Sequence, residues 1–208
     1  MDDLQKSKLR SLSYWFIDGI SEIGTGLVIS LMGCLFLLLA IIPEGSKWNF
    51  VLAYGQPIFV VGAFFIVSKL VKTFKERITF PRTGYVSYIR PKIDKRIQRG
   101  IIAGSVAAAV SIFITLIGGK LEQRFVPLFM SALFAIGMCV FAVNYGVKRF
   151  YVLAVGLLFL GGALFFLNLP DPLDSAWFFI MEGIGMMLSG LTALIHYMKT
   201  TQPVVVED

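Results

Sequence analysis

The sequence has few of the side chains that build polar active sites. Its 208 residues include one histidine, His196, and two cysteines, Cys34 and Cys139, which each lie inside a long apolar segment. Neither a disulfide nor a thiolate metal site is therefore indicated. Zinc-protease, serine-hydrolase and phosphate-loop motifs are missing as well. We accordingly expect no enzymatic activity, no metal and no cofactor.

Charged residues are also scarce, at 15% of the chain against 57% hydrophobic residues. A soluble domain needs a polar exterior that such a composition cannot provide. Apolar segments long enough to cross a bilayer recur at six places. They cover residues 24–42, 51–70, 100–118, 126–145, 151–167 and 175–198. The sequence thus predicts a single all-α polytopic membrane domain over residues 1–208, with six transmembrane helices.

Positive charge is concentrated on one side of this predicted topology. Residues 71–99 contain nine Lys/Arg and two acids, and they lie between the second and third predicted spans. Together with Lys69, the charges near the N-terminus and those after residue 145, sixteen of the nineteen Lys/Arg fall on the same side. The positive-inside rule then predicts that the basic stretch and both termini, including the tail 199–208, lie in the cytoplasm. Because the excess charge faces the membrane surface, we do not expect a nucleic-acid partner.

The basic stretch also contains a turn-like sequence. The runs RITF and YVSYI flank PRTG, which predicts a short cytoplasmic β-hairpin over residues 77–89. Aromatic and basic side chains next to a membrane typically contact lipid headgroups or protein. The candidate lipid- or partner-binding residues are Arg82, Tyr85, Tyr88, Arg90, Lys92, Lys95 and Arg96. The partner would be anionic lipid at the cytoplasmic face, another protein or a second copy of the chain.

Two acids lie close together before the first predicted span. Residues 1–23 are expected to form an interfacial helix, on which Asp18, Glu22 and Thr25 share one face. Two carboxylates one turn apart repel each other and need a cation, water or a proton between them. They either pair with cations of the basic stretch and fasten the helix to it, or form an ion or proton site at the cytoplasmic mouth.

Glu182 is the acid that cannot easily reach water, about two turns inside the last predicted span. A charged carboxylate at that depth is costly, so we expect Glu182 to be protonated, hydrogen-bonded or facing water. It could bind a cation or relay a proton. It could instead form a structural hydrogen bond, for example to Gln56 or to a backbone carbonyl freed by the kink expected at Pro57.

Small residues recur at helical spacing in the predicted spans 100–118 and 126–145. Such stripes let helix backbones approach closely, and they predict a tight pair of these two spans or a dimer interface. In the last span, the residues expected to face the bundle are Glu182, Gly185, Met186, Ser189, Ala193 and His196. Those expected to face lipid are Ile180, Ile184, Leu188, Leu191 and Ile195.

Two sequence signatures resemble those of an uncharacterised family of small bacterial polytopic integral membrane proteins. They are YWFIDGISEIGTG at residues 14–26 and ERITFPRTGYVSYIRP at residues 76–91. The resemblance covers the front half of the chain and implies a bacterial inner-membrane location. It also implies that the acidic pair and the hairpin belong to one unit. The family has no assigned activity, so the resemblance implies no mechanism.

We therefore expect a non-enzymatic integral membrane protein whose basic cytoplasmic hairpin engages anionic lipid or a partner protein. The alternative is a small transporter or channel that uses Glu182 near the kink at Gln56 and Pro57. The sequence shows no inverted repeat of the kind found in many transporters, which counts against the alternative.

Overall fold

Five long helices form the described part of the protein. The computed structural model describes residues 14–43, 45–83 and 122–202. The helices are α1 (Ile20–Ile41), α2 (Lys47–Ile78), α3 (Val126–Tyr145), α4 (Arg149–Leu167) and α5 (Leu173–Thr200). A one-turn helix, Phe80–Thr83, follows α2, and short 3-10 turns at Tyr14–Phe16 and Gln123–Phe125 precede α1 and α3. All five long helices have the length and hydropathy of membrane spans, so the chain is a multi-pass membrane protein.

The predicted fold of six transmembrane helices with a β-hairpin is wrong. Five long apolar helices are found in residues 14–43, 45–83 and 122–202, and none of these residues forms a strand. Residues 77–83, the expected first strand and turn, are helical except for Thr79. The predicted span 100–118 and the remaining hairpin residues, 84–89, lie outside the described residues.

Helix α2 continues past the expected membrane boundary because its last turns still bury one face. Val71, Lys75 and Thr79 recur every fourth residue, and all three are buried. On the opposite side, Lys72 and Glu76 form an exposed ion pair of 3.7 Å at the i, i+4 spacing that supports a helix. The β propensity of the four-residue run RITF is too small to outweigh the burial that favours the helix.

The interfacial helix expected over residues 1–23 is not continuous with α1, since residues 17–19 form a turn. Gly19 has a φ of +68°, a left-handed conformation that glycine adopts readily. The Oδ1 atom of Asp18 accepts a hydrogen bond from the backbone N–H of Ile20, 3.1 Å away. Asp18 therefore precedes α1 and does not share a helical face with Glu22. Residues 1–13 lie outside the described residues.

Helices α1 and α5 pack with their backbones in close contact. A Cβ added to Gly183 would lie 2.5 Å from the carbonyl oxygen of Gly26, and one added to Gly33 would lie 2.6 Å from the backbone nitrogen of Ile180. A Cβ on Gly19 would collide with the carbonyl of Gly190. Close approach of this kind supplies the packing energy that holds helices together in lipid.

Helices α3 and α4 form a second antiparallel pair. Ser131, which belongs to the predicted small-residue stripe, is fully buried and packs against Gly161 of α4. Ala135 of the same stripe lies in a core cluster with Ala154 and Leu157. In the described residues the stripe thus contacts α4. Its predicted pairing with residues 100–118 lies outside them.

The prediction for the faces of α5 holds in part. Glu182 and Met186 are buried, whereas Ile184, Leu188 and Ile195 are exposed. His196, which was expected to face the bundle, is exposed, and Ile180, which was expected to face lipid, packs against Gly33 of α1. The ends of the helices fall into two groups. We call the end of the bundle where α1 and α4 begin, and where α2 and α5 end, the basic end.

Candidate functional site

At the basic end, Asp18 forms a fully buried ion pair with Lys75 of α2. The Nζ atom of Lys75 lies 2.9 Å from each carboxylate oxygen of Asp18 and 2.6 Å from the backbone oxygen of Trp15. It also lies 4.5 Å from the centre of the Trp15 ring. The hydroxyl of Thr79 donates to Oδ2 of Asp18 at 2.7 Å. These contacts use all three ammonium donors, so the pair holds the turn before α1 against α2.

A second ion pair joins α1 to α4. Glu22 is 1% exposed, and its carboxylate accepts from Nε of Arg149 at 2.8 and 3.0 Å. A further nitrogen of Arg149 donates to Glu22 and to the backbone oxygen of Phe16. The hydroxyl of Ser189 in α5 donates to the same carboxylate at 3.0 Å. The bidentate pair therefore connects α1, α4 and α5.

The two carboxylates thus have separate cations. The interpretation that they pair with the basic stretch holds for Asp18, whose partner Lys75 lies within residues 71–99. It fails for Glu22, whose partner Arg149 lies far along the chain. Within the part of the chain that the structure describes, each carboxylate is neutralised and hydrogen-bonded by its own partners, so no open ion site is formed by them there.

Of the predicted lipid- or partner-binding residues, Arg82 is the one that the structure describes. Its guanidinium donates to the backbone oxygens of Met198 and Thr201, at 3.2 and 2.7 Å, and thereby caps α5. The hydroxyl of Tyr197 donates to the carbonyl of Thr79 at 3.2 Å. Tyr85, Tyr88, Arg90, Lys92, Lys95 and Arg96 lie outside the described residues, and their role stays a prediction.

Glu182 has a different environment from the two acids at the basic end. Its side chain is 4% exposed, and neither carboxyl oxygen has a hydrogen-bond partner among the residues that the structure describes. The hydrogen bond expected to Gln56 is not formed in this part of the chain, where Nε2 of Gln56 also lacks a partner. Helix α2 runs unbroken through Pro57.

The Glu182 side chain borders a cavity of about 340 Å³ between α3, α4 and α5. Among the described residues, Glu182 is the one charged group of its wall. The other lining residues are Met138, Val152, Leu153, Gly156, Leu157, Leu160, Met181, Gly185 and Met186. Gln56 and Pro57 do not belong to this wall. Val152 and Met181 are 73% and 43% exposed, so the cavity opens towards the outer surface of the helix bundle.

The described residues offer no metal centre, because no three of their His, Cys, Asp or Glu side chains lie close enough together to hold an ion. The sequence singled out Glu182, which the structure shows to be buried. It carried no signal for the cavity beside it, since the lining residues are ordinary apolar side chains spread over three helices.

Comparison with protein-family models, curated proteins and solved structures gives no match to this chain. The resemblance to a bacterial membrane family therefore stays a prediction.

Proposed function

We propose that this protein is a small membrane transporter or channel for protons or other monovalent cations, and that Glu182 is the group that binds them. The observation that carries this proposal is a carboxyl group without a partner in the described residues, buried beside a membrane-embedded cavity. It favours the transport alternative over a purely structural role for Glu182.

The described residues around Glu182 supply no hydrogen-bond partner to its carboxyl group. A buried polar group left unpaired costs about 1–3 kcal/mol, and a charged one costs more. An apolar side chain of similar size, such as methionine, would remove that cost. Ionisable groups kept at such depth usually mark an ion or proton pathway.

The rest of the bundle provides a firm frame for this site. The Asp18–Lys75 and Glu22–Arg149 pairs connect α1 with α2, α4 and α5 at the basic end. Close glycine contacts with α1 hold α5 along another of its sides. Glu182 lies on a fixed helix in the wall of the cavity, with its carboxyl oxygens buried. On the positive-inside rule, we propose that the basic end faces the cytoplasm of a bacterial inner membrane.

Glu182→Gln should abolish proton transport while leaving the fold intact, because the amide keeps the shape of the side chain but cannot bind a proton at neutral pH. The measurement is acidification of proteoliposomes that contain a pH-sensitive dye, driven by an imposed potassium diffusion potential. We expect wild-type flux to be at least tenfold above that of Glu182→Gln, which should match protein-free vesicles.

The matched control is Glu76→Gln, which makes the same change at an exposed side chain paired with Lys72. Its flux should equal that of the wild type. Wild-type flux no greater than that of empty vesicles, or equal flux in wild type and Glu182→Gln, would overturn the proposal.

A second candidate function is the binding of anionic lipid by the basic stretch, residues 71–99. Exposed cations at the basic end favour it: Lys72, Arg77, Lys148 and Lys199 all lie there. The acids Asp18 and Glu22 do not offset their charge at the surface, because both are buried with their own partners. Phosphatidylglycerol headgroups would be attracted to this end.

Changing Arg90, Lys92, Lys95 and Arg96 together to Gln should weaken phosphatidylglycerol binding at least tenfold at low salt. Each cation near an anionic surface contributes about 1 kcal/mol, so four of them have a large combined effect. The measurement is the Kd of the purified protein for fluorescent phosphatidylglycerol in neutral detergent micelles. Neutralising Lys47, Lys120 and Arg124 should change it little, and equal Kd values in all three proteins would exclude this role.

A further inference from the structure

The wall of the Glu182 cavity points to a more specific ligand. We propose that the cavity takes a lipophilic organic monocation, which enters sideways from the lipid and exchanges with the proton of Glu182. This inference rests on the proposed function in one respect, namely that Glu182 binds cations.

The chemistry of the wall favours an organic cation over a metal ion. Hard metal cations such as Mg²⁺ and Ca²⁺ require about six or more oxygen ligands, from the protein or from retained waters, which an apolar wall does not hold in place. In the described residues Glu182 is the one charged residue of the wall, its two carboxyl oxygens are themselves buried, and the other lining residues are valine, leucine, methionine and glycine. A bulky organic cation needs no set of oxygen ligands. It needs one opposite charge and apolar surface.

The size and flexibility of the cavity agree with this class. Its volume of about 340 Å³ falls at the lower end of the range of roughly 300–1,000 Å³ that is usual for small-molecule sites. Met138, Met181 and Met186 line it, and unbranched thioether side chains adjust readily to ligands of different shape.

Access from the lipid follows from the position of the cavity. Val152, in the first turn of α4, and Met181 of α5 are exposed on the outer surface of the described helices. Beside them, a Cβ built on Gly156 has no other heavy atom within 4 Å. An amphiphilic cation dissolved in the membrane would enter the cavity between these side chains and come to lie beside Glu182.

Competition with protons follows from charge. A protonated carboxyl offers no net charge to a cation, so binding of the cation releases the proton. No second titratable group from α3, α4 or α5 lines the described part of the cavity wall. As long as Glu182 is protonated in the free protein, the apparent Kd for the cation should therefore fall up to tenfold for each unit rise in pH.

The test uses tetraphenylphosphonium as the probe and the purified full-length protein in neutral detergent. Equilibrium dialysis should show saturable binding that strengthens as the pH rises. Glu182→Gln should weaken it at least tenfold, and Glu76→Gln should leave it unchanged. Tetraphenylborate has the same shape with the opposite charge and should not bind.

A pair of glycine substitutions tests the cavity without touching the carboxyl. Gly156→Leu places a side chain into the cavity and should reduce binding at least tenfold. Gly162→Leu is the matched control on the same helix, since its Cβ also meets no other heavy atom within 4 Å and Gly162 does not line the cavity. Both variants should keep the elution profile and thermal stability of the wild type.

The outcomes separate this inference from the proposed function. If proton flux depends on Glu182 but tetraphenylphosphonium does not bind, the organic-cation inference is wrong and proton transport stands. Binding that is equal in wild type, Glu182→Gln and Gly156→Leu would also overturn it, because the probe would then be attached elsewhere. Cation binding that depends on Glu182, without unaided proton flux, would confirm the inference and contradict the flux prediction.

Discussion

Lys75→Met is expected to destabilise the protein by about 3–5 kcal/mol, because it leaves Asp18 as an unpaired buried charge. Asp18 is 0% exposed, and Lys75 is its cationic partner, with Nζ 2.9 Å from both carboxylate oxygens. Methionine preserves most of the apolar stem and removes the ammonium group. The hydroxyl of Thr79 would remain as a donor, but one neutral hydrogen bond cannot replace an ion pair.

Unfolding in mixed detergent–SDS micelles measures this free energy for a membrane protein. Lys72→Met is the control, since Lys72 is 73% exposed and its pair with Glu76 should contribute less than about 1 kcal/mol. The double variant Asp18→Asn with Lys75→Met should regain much of the lost stability, because no charge then stays buried. A loss for Lys75→Met as small as that for Lys72→Met would contradict the structural role of the pair.

Hydrophobicity alone located most of the helices. The predicted span 126–145 coincides with α3 (Val126–Tyr145), and the predicted spans 151–167 and 175–198 match α4 and α5 within two residues at each end. The main error in length concerns α2, which continues to Ile78. A hydropathy criterion ends a span where charge begins, whereas this helix keeps its register by burying Lys75 opposite Asp18.

The contacts that assemble the bundle were harder to predict. Glu22 and Arg149 are 127 residues apart, so no local spacing indicates that they pair. The close approach of Gly26 to Gly183 also depends on which helices are neighbours. The hairpin was predicted because Pro and Gly in PRTG resemble turn residues. However, the residues before this turn form a helix, because Val71, Lys75 and Thr79 bury one face of it.

For the candidate site, the sequence identified the residue but not its surroundings. One acid in an apolar helix stands out by itself, so Glu182 was found. The absence of a partner in the described residues, and the cavity open to the side, depend on the relative positions of α3, α4 and α5. For Asp18 and Glu22 the sequence left either pairing with cations or an ion site open, and the structure shows both neutralised by cations.

Glu182 should be the main site of modification by dicyclohexylcarbodiimide, an apolar reagent that adds to protonated carboxyl groups. The reagent dissolves in the membrane and can enter the cavity past the exposed Val152 and Met181. Asp18 and Glu22 should react little, because each is buried in an ion pair. Glu76 should also react little, because it faces water and is charged at neutral pH.

Labelling of Glu182 in membranes, located by mass spectrometry of peptides, is therefore the most direct test of a cation-binding carboxyl that lipid-soluble molecules can reach. We expect nearly all of the adduct on the peptide that contains Glu182, little labelling of Glu182→Gln, and slower labelling of Gly156→Leu than of Gly162→Leu. An unlabelled Glu182 in wild-type membranes, or an adduct yield unchanged in Glu182→Gln, would contradict the account.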